Sequence, residues 1–190
     1  MLNDPEMIIF VVGEAMKRYH LHRKLVQSAT MVFNITPSST ADVDPDIRMM
    51  LHENEEIFEE FVAWLYTRNL TSQLSDGSVD LIKLIRIYIF ALMWHVCALK
   101  DAAMQALMAT LNTDFDAFFA TIEKVFEEAD DPYRHRIAQV LDAVSKQLLS
   151  VKDLSTEKLL SLYTSSIKWR CNRLKNVIMD TLQDTLLTQS

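Results

Sequence analysis

Apolar and polar positions change their period along this chain, and the changes divide it into elements. Residues 7–12, MIIFVV, form an unbroken β-branched and aromatic run closed by Gly13. That composition predicts a strand running into a turn. Tyr19-His20-Leu21-His22 fits the returning strand of a hairpin, with GEAMKR as its loop. From Arg23 to Phe33 the period lengthens: Leu25, Val26, Ala29, Val32 and Phe33 recur at helical spacing. The stretch 34–46, NITPSSTADVDPD, has no period and holds two prolines, so it reads as a loop. Ile47 to Leu51 is too short for its pattern to separate helix from strand.

Helical spacing dominates after that. In ENEEIFEEFVAWLYTRNL (53–70), Asn54 can cap a helix whose Ile57, Phe58, Phe61, Val62 and Leu65 share one stripe. Glu55 and Glu56 then fall at the positive helix end. TSQLSDGS (71–78) is a loop around Asp76-Gly77. Residues 80–94 are apolar nearly all round and predict a central helix. Lys100-Asp101 marks a joint before a helix over 102–111. Thr113 or Asp114 opens the next helix. Asp131-Pro132 starts another, running to about Leu149. Ser155 caps a last long helix reaching about Leu187, with the stripe Leu159, Leu160, Tyr163, Ile167, Leu174, Ile178, Leu182 and Leu186. The expected architecture is α+β and predominantly helical: short strands before residue 55, then about seven helices.

Composition sharpens this picture. Two glycines and four prolines in 190 residues are too few for a turn-rich sheet protein. The same scarcity removes Gly-rich phosphate loops and any Gly-x-Ser-x-Gly nucleophile turn. A net charge of −7 argues against a nucleic-acid binder. Lys168, Arg170, Arg173 and Lys175 beside Trp169 are a local basic cluster, read as a solvated helix face before a phosphate-binding one. The run LIKLIRIYIFALMWHVCAL (81–99) is interrupted by Lys83, Arg86 and His95. A buried core helix therefore suits it better than a membrane span. Cys97 and Cys171 match no framework or metal spacing and read as free thiols. No secretion signal is visible, and the expected location is intracellular, in cytoplasm or nucleus.

Candidate chemistry is sparse. Helical spacing brings Glu55 beside Glu59 and Glu56 beside Glu60, and paired carboxylates can do acid–base work when one is desolvated. These four lie opposite the apolar stripe, so a solvated face, open to a partner, is the expected reading. His20 and His22 would share a strand face, and His95 and Cys97 add two donors. Zinc needs three or four converging donors, and nothing in the sequence gathers them. No catalytic residue, metal site or cofactor is expected. The ten methionines fill a core, with an adaptable groove as the lesser alternative.

The order of these motifs resembles the BTB/POZ domain family, most like the fungal BTB-domain proteins. A strand ending in Gly13 leads to YHLHRKLVQSATMVF, in which His22, Arg23, Leu25, Val26 and the closing Phe33 match the family pattern, with Thr30 where serine is usual. Phe58, Phe61, Trp64, Leu65 and Tyr66 lie in its acidic helix start and WLYTG-like ending, and Tyr88 and Ala91 fit its Leu-Tyr-x-x-Ala core. The resemblance covers about 105 residues. It implies a BTB/POZ core (short N-terminal strands plus a helix cluster) over residues 1–110 and a helical C-terminal extension over 111–190. It also implies a non-catalytic protein–protein interaction domain, an adaptor or assembly module with protein partners and a capacity to self-associate. Two features depart from the family. Seven residues precede Ile8, where swapped dimers carry a helix. NITPSSTADVDPD has no glutamate, where cullin-recruiting members often carry a hydrophobic-x-Glu motif. A substrate adaptor of a cullin-type ubiquitin ligase is therefore the alternative. An enzyme of unknown type, drawing on Glu55, Glu56, Glu59 and Glu60, is the alternative of another class.

Overall fold

A computed structural model describes residues 6–34, 47–70, 79–129, 131–148, 155–169 and 171–188. The loops expected over 34–46 and 71–78 fall almost wholly outside the described residues, as do Arg170 and the side chains of Arg173 and Leu186. The described chain is mostly helical with one three-stranded sheet, so the α+β expectation is met. It gathers into two compact units, Met1–Ala103 and Met104–Ser190.

The first unit is built on a hairpin. Strand β1 (Met7–Val12) pairs antiparallel with β2 (Lys17–His22), with Phe10 opposite Tyr19. The segment 47–51, undecided by pattern, is strand β3 (Ile47–Met50), parallel to β1 in the order β2-β1-β3. Alternation puts Ile8, Phe10, Val12, Leu21 and Met50 inside. The hairpin turn needs Gly13: its φ is +72°, and its N–H donates to the Met50 carbonyl at 3.2 Å.

Helix α1 (Arg23–Ala29) is shorter than its period suggests. The pattern extends to Phe33, but the chain becomes extended at Thr30, whose buried hydroxyl donates to the Trp94 carbonyl at 2.8 Å. A 3-10 turn (Val32–Asn34) then drives Phe33 into a ring cluster, 5.0 Å from Phe10 and 5.2 Å from Trp94. One continuous helix would not deliver both contacts.

Helix α2 (Glu55–Thr67) starts where its cap predicts: Asn54 Oδ1 accepts from Ile57 N–H at 3.2 Å. It buries Ile57, Phe58, Phe61, Trp64 and Leu65. It ends on Arg68 in the left-handed conformation (φ +59°), where many helices place glycine. The Arg68 guanidinium lies 4.6 Å from the Trp64 ring centre, a cation–π contact that offsets part of that strain.

Helix α3 (Leu81–Met93) is capped by Asp80, which accepts from Lys83 N–H at 2.9 Å. Eight of its residues are buried, as its all-round apolar character requires. Helix α4 (Cys97–Thr113) corrects the sequence reading. The expected joint at Lys100-Asp101 lies inside this helix. The turn is at Trp94–Val96, where His95 has φ +52° and Val96 N–H reaches the Ala91 carbonyl. Val96 and Leu99 are fully buried, so the chain turns early enough to place both inside.

The second unit holds α5 (Phe115–Glu128), α6 (Asp131–Leu148), α7 (Thr156–Lys168) and α8 (Asn172–Thr188). Asp114 caps α5, accepting from Ala117 N–H at 2.9 Å. The single helix expected from 155 to 187 is in fact two. Trp169 and Cys171 both turn inward, each 2% exposed, and Cys171 N–H reaches back to the Ser166 carbonyl. The buried face of α7 is accordingly Leu159, Leu162, Ser166 and Trp169. Leu160 and Ile167, placed on the inner stripe by period, are each 54% exposed. Leu174, Ile178 and Leu182 of α8 are buried as expected. Among the described residues no helix is long and apolar enough to cross a membrane.

A Cβ built on Gly13 would run into the Glu55 side chain, 2.6 Å from its Cγ. Gly13→Ala should therefore destabilise the protein by about 1–2 kcal/mol, from left-handed strain plus the displaced carboxylate. Urea unfolding checks this. In a Glu55→Ala background the cost of Gly13→Ala should fall, leaving the strain alone.

Candidate functional site

The acidic face of α2 concentrates the candidate chemistry. Its carboxylates alternate with the buried ring positions, so the helix that builds the core also carries the charge. The expectation that Glu55, Glu56, Glu59 and Glu60 are all solvated is corrected at Glu60. Its residue exposure is 8%, and its carboxylate lies 2.6 Å from Lys83 Nζ of α3. Glu56 approaches the same ammonium at 3.3 Å. Lys83 lies early in an apolar helix. Burial lowers its pKa, but its hydrogen bonds to Glu60 and Glu56, with their charges, outweigh burial and raise it. The sequence signal for this pair was a lysine inside an apolar run, although Arg86 interrupts the same run and is exposed.

Glu59 is also held. Lys17 of β2 makes an ion pair with it, and the Tyr19 hydroxyl donates to the same oxygen at 3.2 Å. The Lys17 hydrogen bond depresses the Glu59 pKa against the opposing effect of burial. Partial burial, then the neighbouring Glu59 charge, pushes the Tyr19 phenol up. A general acid needs the opposite shift, so Glu59 is unsuited to donate a proton near neutral pH. Glu55 lies against Gly13 at the hairpin turn. Glu53, in the approach to the helix, accepts from the Trp94 indole at 3.0 Å.

The residues that carry the family resemblance lie in the same unit. His22 Nδ1 is 2.9 Å from the Tyr66 hydroxyl, joining the end of β2 to the end of α2. Tyr66 itself is exposed, and Leu25 is half-buried. Phe33, Phe58 and Phe61 meet in the ring cluster with Phe10 and Phe90. Trp64, Leu65, Tyr88 and Ala91 are buried, and burial raises the Tyr88 phenol, with Asp101 adding to it. Lys17, Thr30, Lys83 and Trp94 hold this arrangement too; Thr30 and Lys83 were singled out in the sequence, Lys17 and Trp94 were not.

The other candidates do not converge. His20 and His22 share the exposed face of β2, and His95 and Cys97 are exposed. No group of three or more His, Cys, Asp or Glu side chains able to hold a metal occurs among the described residues. In the basic cluster, Lys168 bonds Glu123 and Glu127 of α5 at 2.8 and 2.7 Å, so its charge is spent within the unit. Both cysteines are free. Cys171 is buried and donates to Asp142 Oδ1 at 2.9 Å. Burial and then that carboxylate push its pKa to about 12. No protein-family model matches the chain, and no curated protein is significantly similar to it.

Two outcomes follow from these charges. Glu60→Gln leaves the half-buried Lys83 ammonium with Glu56 as its charged partner in place of two, and should cost about 1 kcal/mol in thermal or urea unfolding. Glu59→Gln, at an exposed pair, should leave the midpoint within experimental scatter. Because the folded-state pKa of Lys83 is raised, its contribution is complete below the unfolded value near 10.4. It is lost as pH rises through the folded value, so the Glu60→Gln deficit should shrink there. The thiols should separate as well. A disulfide reagent at pH 8 should label one cysteine quickly, and Cys97→Ser should remove that fast phase. Cys171 should react only on unfolding, because its thiolate is suppressed.

Proposed function

We propose that this protein is a non-catalytic protein–protein interaction domain, an adaptor or assembly module with a BTB/POZ-like unit in its N-terminal half. The observation that carries this reading is the fate of α2. The residues that resemble the family close a ring-packed core, and three of the four candidate glutamates, Glu56, Glu59 and Glu60, are tied to Lys17 and Lys83. An acidic helix stapled in this way presents shape and a wet rim to its surroundings.

Exposed apolar groups in the same unit supply contact area. Met49 and Leu51 lie on and just after the edge strand β3, 50% and 38% exposed, and Met31 is 83% exposed. An edge strand with flexible apolar side chains suits a protein partner. A second copy of the chain and a cullin-type scaffold are the two partner classes the resemblance raises. Glu55, Glu56 and Glu59 would stand at the rim of such a contact.

Light scattering of the full chain against concentration, alongside binding of a purified cullin N-terminal domain, tests the proposal. A mass rising above 21.9 kDa with concentration supports assembly, and micromolar cullin binding supports the adaptor. A strictly monomeric mass at high concentration, with no cullin binding and no stoichiometric partner captured from cells, overturns the reading.

A further inference from the structure

Strand β2 is an edge of its sheet: in the order β2-β1-β3, β1 is its neighbour on one side and no described strand lies on the other. Hydrogen bonds fix which of its backbone groups face outward. Continuing the β1–β2 register one step sets Arg23 opposite Glu6, and Arg23 N–H donates to the Glu6 carbonyl at 2.6 Å. On the far side of β1, Gly13 N–H donates to the Met50 carbonyl of β3. Counting back by twos from each bond gives one phase: Lys17, Tyr19 and Leu21 exchange bonds with β1, and Arg18, His20 and His22 turn outward. His22 agrees, since its N–H donates to the Tyr66 hydroxyl of α2 at 3.3 Å. Arg18 and His20 have no such neighbour. Both are exposed, and neither has a hydrogen-bonding or ion-pair partner beyond β1 among the described residues.

An edge with unpaired N–H and C=O groups accepts a further strand, and its side chains select which one. Arg18, His20 and His22 share the outer face, while the Lys17 charge on the inner face is already paired with Glu59. A second copy of β2 would set like against like: Arg18 against His22 in an antiparallel pair about His20, and Arg18 against Arg18 in a parallel one. An acidic strand would set opposite charge beside Arg18. On the other face, a guest residue beside Tyr19 points toward α2, where Tyr66 is 46% exposed, and an apolar side chain suits that side. The Tyr66 hydroxyl at His22 limits the open ladder to Arg18 and His20.

We propose that the β2 edge binds an extended segment of a partner protein in which acidic and apolar residues alternate, its backbone bonded to Arg18 and His20 and an acidic side chain beside the Arg18 guanidinium. As a docking edge it rests on the interaction reading above. Its test involves neither self-association nor a cullin, so the two fail separately.

The isotope-labelled full chain is titrated with a blocked hexapeptide alternating glutamate and valine, and with its lysine–valine analogue. Salt is held at about 0.15 M, where the net charge of −7 is screened within about 8 Å. Backbone amides are followed by NMR. The acidic peptide should give saturable shifts and slowed hydrogen exchange at Arg18 and His20, and the lysine peptide neither. Arg18→Glu should weaken the acidic peptide by about tenfold and admit the lysine one, because a pair of opposite charges becomes a like pair. Two further acidic peptides carry N-methyl groups on every glutamate nitrogen or on every valine nitrogen. One of them should lose binding: the first for an antiparallel guest, the second for a parallel one. The site is overturned if the acidic peptide does not saturate, if the lysine peptide binds equally well, or if both methylated peptides keep full affinity. Protection of the two amides that grows with protein concentration alone assigns the edge to a second copy and overturns the acidic guest.

Discussion

The burial of one ring cluster organises the first unit. Phe10 of β1, Phe33 of the 3-10 turn, Phe58 and Phe61 of α2, and Phe90 of α3 lie at centroid distances of 5.0 to 6.4 Å. The five rings come from four separate stretches of chain, so none of the stretches buries its rings unless the others arrive. Aromatic pairs at these distances add about 0.5–1.5 kcal/mol each beyond their area. The cluster also dictates local irregularities. Thr30 breaks α1 so that Phe33 can enter, and the Trp94 carbonyl that receives the Thr30 hydroxyl ends α3. The turn after α3, with His95 left-handed, is the other side of the same requirement.

The charges of α2 follow from this packing. A helix that buries Ile57, Phe58, Phe61, Trp64 and Leu65 has an inner face wider than a simple stripe, and Glu60 sits at its edge. A carboxylate there would be costly alone, and Lys83 in the neighbouring apolar helix would be costly alone too. Together they satisfy each other, with Glu56 as a second acceptor for the ammonium. The α2 acidity is therefore partly structural, and the contrast with Glu59, paired at the surface to Lys17, is one of burial.

Much of this was legible in the sequence. The hairpin strands, the cap at Asn54, a helix start at Thr113 or Asp114, and the apolar faces of α2 and α3 come from local period and turn chemistry, which act over a few residues. What escaped depended on distant partners. The period of 23–33 carries no sign that Thr30 will bond to Trp94. Lys100-Asp101 looked like a joint because charge often marks one, yet Lys100 is half-buried on a continuous helix whose Val96 and Leu99 must be inside. Glu60 looked solvated because its inward neighbour lies in another helix.

The second unit shows why amphipathic period alone misleads for α7. A stripe drawn through Leu160, Tyr163 and Ile167 counts the apolar residues correctly but misses the heaviest side chain, Trp169. Burying Trp169 fixes the helix phase, because Leu162, Ser166 and Trp169 must then face inward together. The phase turns Leu160 and Ile167 outward and requires a break at 169–171 before α8 can present Leu174 and Ile178 to the same interior. That break carries Lys168 to the carboxylates of α5 and the Trp169 ring to the face of Phe119. One large residue therefore sets both the phase of α7 and the ring contact it makes with α5.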